Sequence, residues 1–156
     1  MRSARPDLRF SVCIPVADDA SRLADTLHSV LGQRGPAFEV IVADDASSDG
    51  SAQVAARVGD PRVVVRANRT RVGFAANLDR AVGPSDGEIV IVVAPGDVMA
   101  PGALVAYDEL FTAVGPDAVI GARVRPGESE TTEIAALGPD ALVWSRAPVN
   151  RELSEM

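Results

Sequence analysis

Short runs of apolar, mostly β-branched residues alternate along this 156-residue chain with segments of helical periodicity. Several of these runs are apolar at every position, which is typical of parallel strands that helices cover on both faces. The alternation predicts an α/β fold with a doubly wound, mostly parallel sheet. The predicted strands lie at residues 10–14, 38–43, 63–65, 89–93 and 118–120, with a sixth candidate at 141–144.

Apolar residues between these runs recur at the spacing of amphipathic helices. Glycines at 32, 59 and 83 end the first three, and Pro101 suits the first turn of the fourth. In the third helix, Phe74, Leu78 and Val82 predict the buried stripe, so Asn77 is expected on the exposed side together with Asp79. The other apolar stripes are Leu23, Leu27, Val30 and Leu31; Val54 and Val58; and Leu104, Tyr107, Phe111 and Val114.

The composition excludes several classes of protein. All 15 basic residues are Arg, and the net charge of -7 argues against a nucleic-acid-binding surface. Cys13 is the only cysteine and His28 the only histidine, so neither a cysteine cluster nor a histidine-rich metal site is available. No apolar run approaches the roughly 20 residues of a membrane span. We expect a single cytoplasmic domain over residues 1–156, with loose tails at 1–8 and 148–156.

Ligands of open α/β sheets bind outside the carboxyl ends of the strands. The segments that follow the first four strands lie at 15–19, 44–51, 68–73 and 94–97, and they are rich in Asp, Ser and Arg. We therefore expect a mixed acidic and basic cleft at this edge. Asp49 and Ser51 directly precede a predicted helix, and we expect them to serve the structure there. Cys13 is interpreted as a buried hydrophobe and His28 as an exposed helix residue.

Four segments in this order resemble the family 2 glycosyltransferases of the GT-A fold. They are SVLGQ at 29–33, FEVIVADDASSDGS at 38–51, GFAANLDR at 73–80 and PGAL at 101–104, and the likeness runs from about residue 10 to residue 123. The resemblance implies the donor half of such an enzyme. That half binds a nucleotide-diphosphate sugar of the UDP, GDP or dTDP type, and the sugar passes to an acceptor hydroxyl.

The resemblance implies a pocket for the nucleotide base between the first two of these segments. Pro15, Val16 and Ala17 would line it, beside the acidic pair Asp44 and Asp45. Asp45 would accept a hydrogen bond from the base ring N–H, since a carboxylate is an acceptor and uracil, thymine and guanine present a donor. The alternative is that the acidic pair only caps the next helix or forms an Asx turn.

The segment after the third strand would approach the diphosphate. Arg69 and Arg71 would pair with it, and Gly73 would let the backbone come close to the nucleotide. The alternative is that both arginines are solvated surface residues. Asp18, where the family often has an Asn, would repel a diphosphate if it faced the site.

The sequence departs from the family at its D-x-D metal motif, which falls on Ala94, Pro95 and Gly96. Mg²⁺ and Mn²⁺ require oxygen ligands, and Ala and Gly side chains supply none. Asp97 remains as a weak candidate ligand, but Pro95 restricts the adjustment that it would need. We therefore predict no resident metal, with Mg²⁺ or Mn²⁺ as the minority alternative.

The catalytic carboxylate of the family is not identified in this sequence. Glu128, Glu130 and Glu133 are the clustered acidic residues downstream, and their polar surroundings at 126–132 predict a solvated loop. Two functions stay open. One is the donor half of an enzyme that another domain or partner completes; the other is a catalytically inactive binding or scaffolding protein. In either case we expect the isolated chain to have little or no activity and to pair with a protein partner or a second copy.

Overall fold

The structure is a computed structural model that describes residues 9–114, 119–120 and 135–136. The chain divides into two compact units, Met1–Pro101 and Gly102–Met156. The expectation of one domain over 1–156 stays a prediction. The predicted tails, the polar loop at 126–132 and the candidate strand at 141–144 lie outside the described residues.

The first unit contains a parallel sheet of four strands in the order β3-β2-β1-β4. Every residue of the two central strands is buried, as their continuous apolar pattern predicts. The sheet therefore confirms the first four predicted strands and their parallel arrangement. The strands are β1 (Phe10–Val16), β2 (Phe38–Asp44), β3 (Val63–Ala67) and β4 (Ile89–Val92).

Three helices connect these strands: α1 (Ala20–Leu31), α2 (Ser51–Arg57) and α3 (Phe74–Val82). The helices α1 and α2 pack on each other, whereas α3 contacts β1 and β2. The chain moves outward along the sheet from β1 to β3 and then returns to β4 on the other side of β1. Because the crossovers are right-handed, this reversal puts α3 on the face of the sheet opposite to α1 and α2. The reversal creates a switch point between β1 and β4, where open α/β sheets bind their ligands.

The second unit contains α4 (Ala103–Val114) and the short strands β5 (Val119–Ile120) and β6 (Ala135–Ala136). In the described residues, β5 pairs antiparallel with β6 in a separate two-stranded sheet. The expectation that residues 118–120 join the parallel sheet is therefore wrong. An apolar run of three residues predicts a strand but does not specify its partner.

The buried face of α3 also differs from the predicted stripe. Asn77 and Ala81 are its buried residues, whereas Phe74 is 70% exposed. Leu78 and Val82 are half-buried on the flank of this face. Phe74 is the first residue of the helix and lies at the carboxyl edge of the sheet, where the strands end. Its helical spacing was therefore a poor guide to its burial.

A buried polar cluster fastens the opposite, amino edge of the sheet. Ser11 Oγ donates to Glu39 Oε1 at 2.6 Å, and the Asp86 N–H donates to the same oxygen at 2.8 Å. The Gly87 N–H donates to Ser11 Oγ at 2.8 Å. A Cβ at Gly87 would lie 2.5 Å from the backbone carbon of Phe10, so only glycine fits this close approach. The cluster ties the start of β4 to β1 and β2.

We expect Ser11→Ala to lower the free energy of unfolding by about 1–3 kcal/mol, because the buried Glu39 carboxylate loses a donor and the half-buried Gly87 N–H loses its acceptor. Denaturant unfolding followed by circular dichroism measures this. Ser21→Ala, at an exposed position of α1, is the matched control and should change stability by less than about 0.5 kcal/mol. Equal effects of the two substitutions would contradict this role of Ser11.

Candidate functional site

Asp45, at the start of the loop that follows β2, bonds to the loop that follows β3 and to the end of β1. Its Oδ1 accepts hydrogen bonds from Asn68 Nδ2 at 2.9 Å and from the Val72 N–H at 2.8 Å, and its Oδ2 accepts from the Gly73 N–H at 2.9 Å. The Asp45 N–H donates to the Val16 carbonyl at 2.8 Å. One residue therefore joins three of the four predicted site segments, through its carboxylate and its backbone amide.

These contacts also set the ionisation of Asp45. Burial by itself raises the pKa of its carboxyl, but the hydrogen bonds from Val72, Asn68 and Gly73 outweigh burial and hold the pKa below its usual value. Asp45 is 2% exposed, and three of the roughly four acceptor positions of its carboxylate are occupied within the protein. Its direct contact with a nucleotide base stays a prediction.

Asp44 is also buried, but its carboxylate is only half satisfied. Its Oδ2 accepts the N–H of Ser47, three residues further along the loop, at 3.1 Å. Its Oδ1 is buried with no hydrogen-bond partner among the described residues. Asp44 is paired in register with Val16 and Ala67 at the carboxyl ends of the neighbouring strands. A buried acceptor without a partner is costly unless a ligand or water completes it.

Two asparagines that the sequence analysis did not assign to the site extend the Asp45 network. Asn68 Nδ2 donates to Asn77 Oδ1 at 3.0 Å as well as to Asp45, and Arg80 Nη1 donates to Asn68 Oδ1 at 2.5 Å. Asn77 Nδ2 donates to the Ala43 carbonyl at 2.8 Å. Asn77 is 2% exposed, so its expected place on the surface is wrong. Its amide thus bonds α3 to a backbone carbonyl of the central strand β2.

Arg71 joins the loop after β3 to the loop after β1. Its Nη2 donates to Asp18 Oδ2 in an ion pair. The hydrogen bond from the Ser48 N–H and the contact with Arg71 hold the pKa of Asp18 below its usual value. Asp18 adopts a φ of 52°, a left-handed conformation that an Asp tolerates better than most residues. Arg71 thus neutralises the negative charge at Asp18, while Arg69 is exposed.

Asp49 and Ser51 join the starts of α1 and α2, in keeping with the structural role predicted for them. Asp49 Oδ2 accepts the Ala20 N–H at 2.8 Å, and its Oδ1 accepts the Ser51 N–H at 3.0 Å. Ser51 Oγ accepts the Asp19 N–H at 3.1 Å. These bonds satisfy amides at the N-termini of both helices.

The segment after β4 makes a tight turn beside α1. The Asp97 N–H donates to the Ala94 carbonyl at 3.0 Å, and the Gly96 N–H donates to Thr26 Oγ1 at 2.9 Å. Gly96 has a φ of 91°, which favours glycine. The side chains of Ala94, Pro95 and Gly96 offer no oxygen to a divalent cation. Over the described residues, no group of three or more His, Cys, Asp or Glu side chains could hold a metal. The residues of this turn therefore do not fit the family's metal.

Cys13 and His28 lie away from these loops. Cys13 is fully buried, and burial raises the pKa of its thiol to about 12, which confirms it as a buried, unreactive side chain. His28 is exposed on α1, as predicted.

The sequence profile described as Glycosyl transferase family 2 matches residues 11–151 of this chain. The chain belongs to this family. Its resemblance to the family and its GT-A-like α/β fold are therefore confirmed. All of the loops described above fall within the matched residues.

Individual relatives and structures agree with the family. "Uncharacterized protein MT1568" of Mycobacterium tuberculosis is 32% identical over 80% of this chain, which spans 38% of that protein's length. S. aureus TarS 1-349, solved in complex with UDP, has a TM-score of 0.71 at 23% identity, over 80% of this chain and 38% of that TarS chain. Mannosyltransferase PcManGT from Pyrobaculum calidifontis, solved with GDP-Man and Mn²⁺, has a TM-score of 0.66 at 24% identity, over 76% of this chain and 36% of that enzyme.

Every helix in the described part of the chain falls short of the length and hydropathy that a membrane crossing requires.

We expect Asn77→Ala to lower the free energy of unfolding by about 1–3 kcal/mol, because the Ala43 carbonyl and Asn68 lose a buried partner. A surface asparagine would change it by less than about 0.5 kcal/mol. Urea unfolding distinguishes the two cases. Asp79→Ala on the exposed side of the same helix is the matched control.

The lowered pKa of Asp45 predicts a pH effect on the loop after β3. Because the folded-state pKa lies below the unfolded value of about 4, the stabilisation by Asp45 is complete above about pH 4 and is lost as pH falls through the folded-state pKa. The amide proton shifts of Val72 and Gly73 should titrate together below pH 4 in NMR spectra. Asp45→Asn should remove this titration. A midpoint above pH 4 would contradict the hydrogen-bond assignment.

Proposed function

We propose that this chain is the donor-binding half of a glycosyltransferase and that its carboxyl-edge loops bind a nucleotide-diphosphate sugar. Family membership supports sugar transfer as the reaction. The described loops supply hydrogen-bond acceptors for a base and a cation for a diphosphate. Asp44 and Asp45 offer acceptors, and Arg71 offers a guanidinium. Val16, at the end of β1, is buried beside Asp44, in keeping with the predicted role of residues 15–17 as a base pocket.

The observation that carries this proposal is the unpartnered Oδ1 of Asp44. A base ring N–H would complete this buried acceptor, and a carboxylate selects for a base edge that presents a donor. Asp45 was the residue predicted for that role. Its carboxylate already accepts three internal hydrogen bonds, so we assign reading of the base to Asp44 and positioning of the 68–73 segment to Asp45.

The ligands of the structural neighbours support a nucleotide sugar as the donor. TarS structures contain UDP or UDP-GlcNAc, and the mannosyltransferase contains GDP-Man. Uracil and guanine each present a ring N–H, as does thymine. We propose a uridine, guanosine or thymidine diphosphate sugar as the ligand of this chain.

Sugar transfer requires an acceptor site and a base that deprotonates the acceptor hydroxyl. The chain spans 38% of the relative from M. tuberculosis, and we propose that another domain or a partner supplies both. A second function, sugar-nucleotide binding without transfer, is favoured by the turn after β4, whose side chains do not fit a divalent metal. A cytoplasmic location and a partner protein or second copy stay predictions.

Calorimetric titration with UDP, GDP and dTDP, each with and without Mn²⁺, tests the proposal. We expect one of these nucleotides to bind without Mn²⁺. Asp44→Asn should lower the affinity for it by about tenfold or more, as loss of a hydrogen bond to a charged acceptor predicts. Asp79→Asn is the charge-matched control and should leave affinity unchanged.

Asp45→Asn measured in parallel separates the two aspartates. It should lower the unfolding midpoint, since it disturbs three hydrogen bonds of the 68–73 segment. If Asp45→Asn abolished binding in a fully folded protein and Asp44→Asn did not, Asp45 would be the base-reading residue. Failure of all three nucleotides to bind the wild-type chain would refute the donor-site proposal.

A further inference from the structure

The turn after β4 lies at the switch point of the sheet, but its residues do not fit a metal. A sugar nucleotide nevertheless carries a diphosphate, whose negative charge needs a compensating cation when it binds and when it leaves. A cationic side chain lies against this turn, that of Arg22 in the first turn of α1.

The Arg22 side chain lies against Gly96, close to where a side chain at this position would begin. A Cβ at Gly96 would lie 3.2 Å from Arg22 Cδ, 3.4 Å from Nη1 and 3.6 Å from Nε. Glycine therefore permits the guanidinium to lie directly over the turn. The φ of 91° at Gly96 disfavours any other residue there. This closeness was not visible in the sequence, where the two residues are far apart.

Asp19 holds the guanidinium in a fixed orientation. Arg22 Nε donates to Asp19 Oδ1 at 2.6 Å, and Nη2 donates to Oδ2 at 2.5 Å. This bidentate pair uses two of the five N–H donors of the guanidinium. Within the described residues, Nη1 donates no hydrogen bond, and the Arg22 side chain is 65% exposed. The edge formed by Nη1 and the second hydrogen of Nη2 is thus available to a phosphate.

We propose that Arg22 replaces the metal of this site and that its guanidinium binds the diphosphate of the sugar nucleotide. This inference rests on the proposed donor-binding function. Arg69 and Arg71, the two cations predicted for the diphosphate, lie in the loop after β3, where Arg71 is paired with Asp18. Arg22 instead lies at the turn where the family's metal motif falls. A guanidinium matches phosphate geometry and stays charged at any physiological pH.

The surrounding carboxylates make the site depend on this one cation. Asp19 is paired with Arg22, and Asp97 adds a favourable charge interaction with it. Without the guanidinium, a diphosphate would face two carboxylates at this turn. Removing the charge of Arg22 should therefore lower the affinity for a nucleoside diphosphate more than the affinity for the corresponding monophosphate, because the diphosphate carries more negative charge.

Calorimetry in EDTA on the full chain tests this. The ligands are the best-binding nucleoside diphosphate and its monophosphate, and the variants are Arg22→Gln and the control Arg57→Gln, at an exposed position of α2. We expect Arg22→Gln to lower the affinity for the diphosphate by about tenfold or more and the affinity for the monophosphate by less than about threefold. Loss of charge-assisted hydrogen bonds to phosphate predicts this difference. Arg57→Gln should change neither.

Three results would overturn the inference. They are wild-type binding that requires Mn²⁺, equal effects of the two arginine substitutions, and equal weakening of both ligands by Arg22→Gln. The unfolding midpoint of Arg22→Gln must stay within a few degrees of wild type, which we expect because exposed ion pairs contribute little to stability. If the wild-type chain bound no nucleotide at all, the donor-site proposal itself would fail; if it bound one and Arg22→Gln bound it equally well, only the Arg22 proposal would fail.

Discussion

The Asp45 carboxylate accepts hydrogen bonds from three donors of the segment that follows β3, while its own amide is bonded to the end of β1. The carboxyl edge of the sheet depends on this arrangement, since it positions Arg71 and the start of α3. Asn68 and Asn77 continue the network to the Ala43 carbonyl on β2. A buried polar network of this kind is stabilising only when its members are satisfied, and the contacts at Asp45 meet that condition.

The two edges of the sheet differ in whether their buried polar groups have hydrogen-bond partners. At the amino edge, Ser11 and Glu39 find partners in the backbone of the α3–β4 connection, so this cluster is complete and structural. At the carboxyl edge, Asp44 keeps a buried oxygen without a partner among the described residues. Buried polar groups whose hydrogen bonds are all made within the protein stabilise the fold. A buried acceptor without a partner indicates where a ligand could donate a hydrogen bond. This contrast supports placing the donor base beside Asp44.

Two arginine–aspartate pairs flank the same edge. Arg71 with Asp18 connects the loops after β3 and β1, and Arg22 with Asp19 lies beside the turn after β4. Both pairs are solvent-exposed and contribute little to stability, so their value lies in holding guanidinium groups in place. In the proposed donor site, Arg22 is the guanidinium that binds the diphosphate, and Arg71 offsets the charge of Asp18.

The sequence by itself determined the strands β1 to β4, their parallel arrangement and the family. These follow from continuous apolar runs, helical spacing and ordered motifs, all of which are local along the chain. It did not determine the burial of Asn77, the separate pairing of β5, or the closeness of Arg22 to Gly96. These three features depend on which distant segments of the chain come into contact. On α3, alanines separate the larger apolar residues, so the sequence is compatible with more than one buried helix face. Tertiary structure alone decided that the Asp45 carboxylate accepts three internal hydrogen bonds while one oxygen of Asp44 has no partner among the described residues. The donors reach Asp45 from a loop more than 20 residues away.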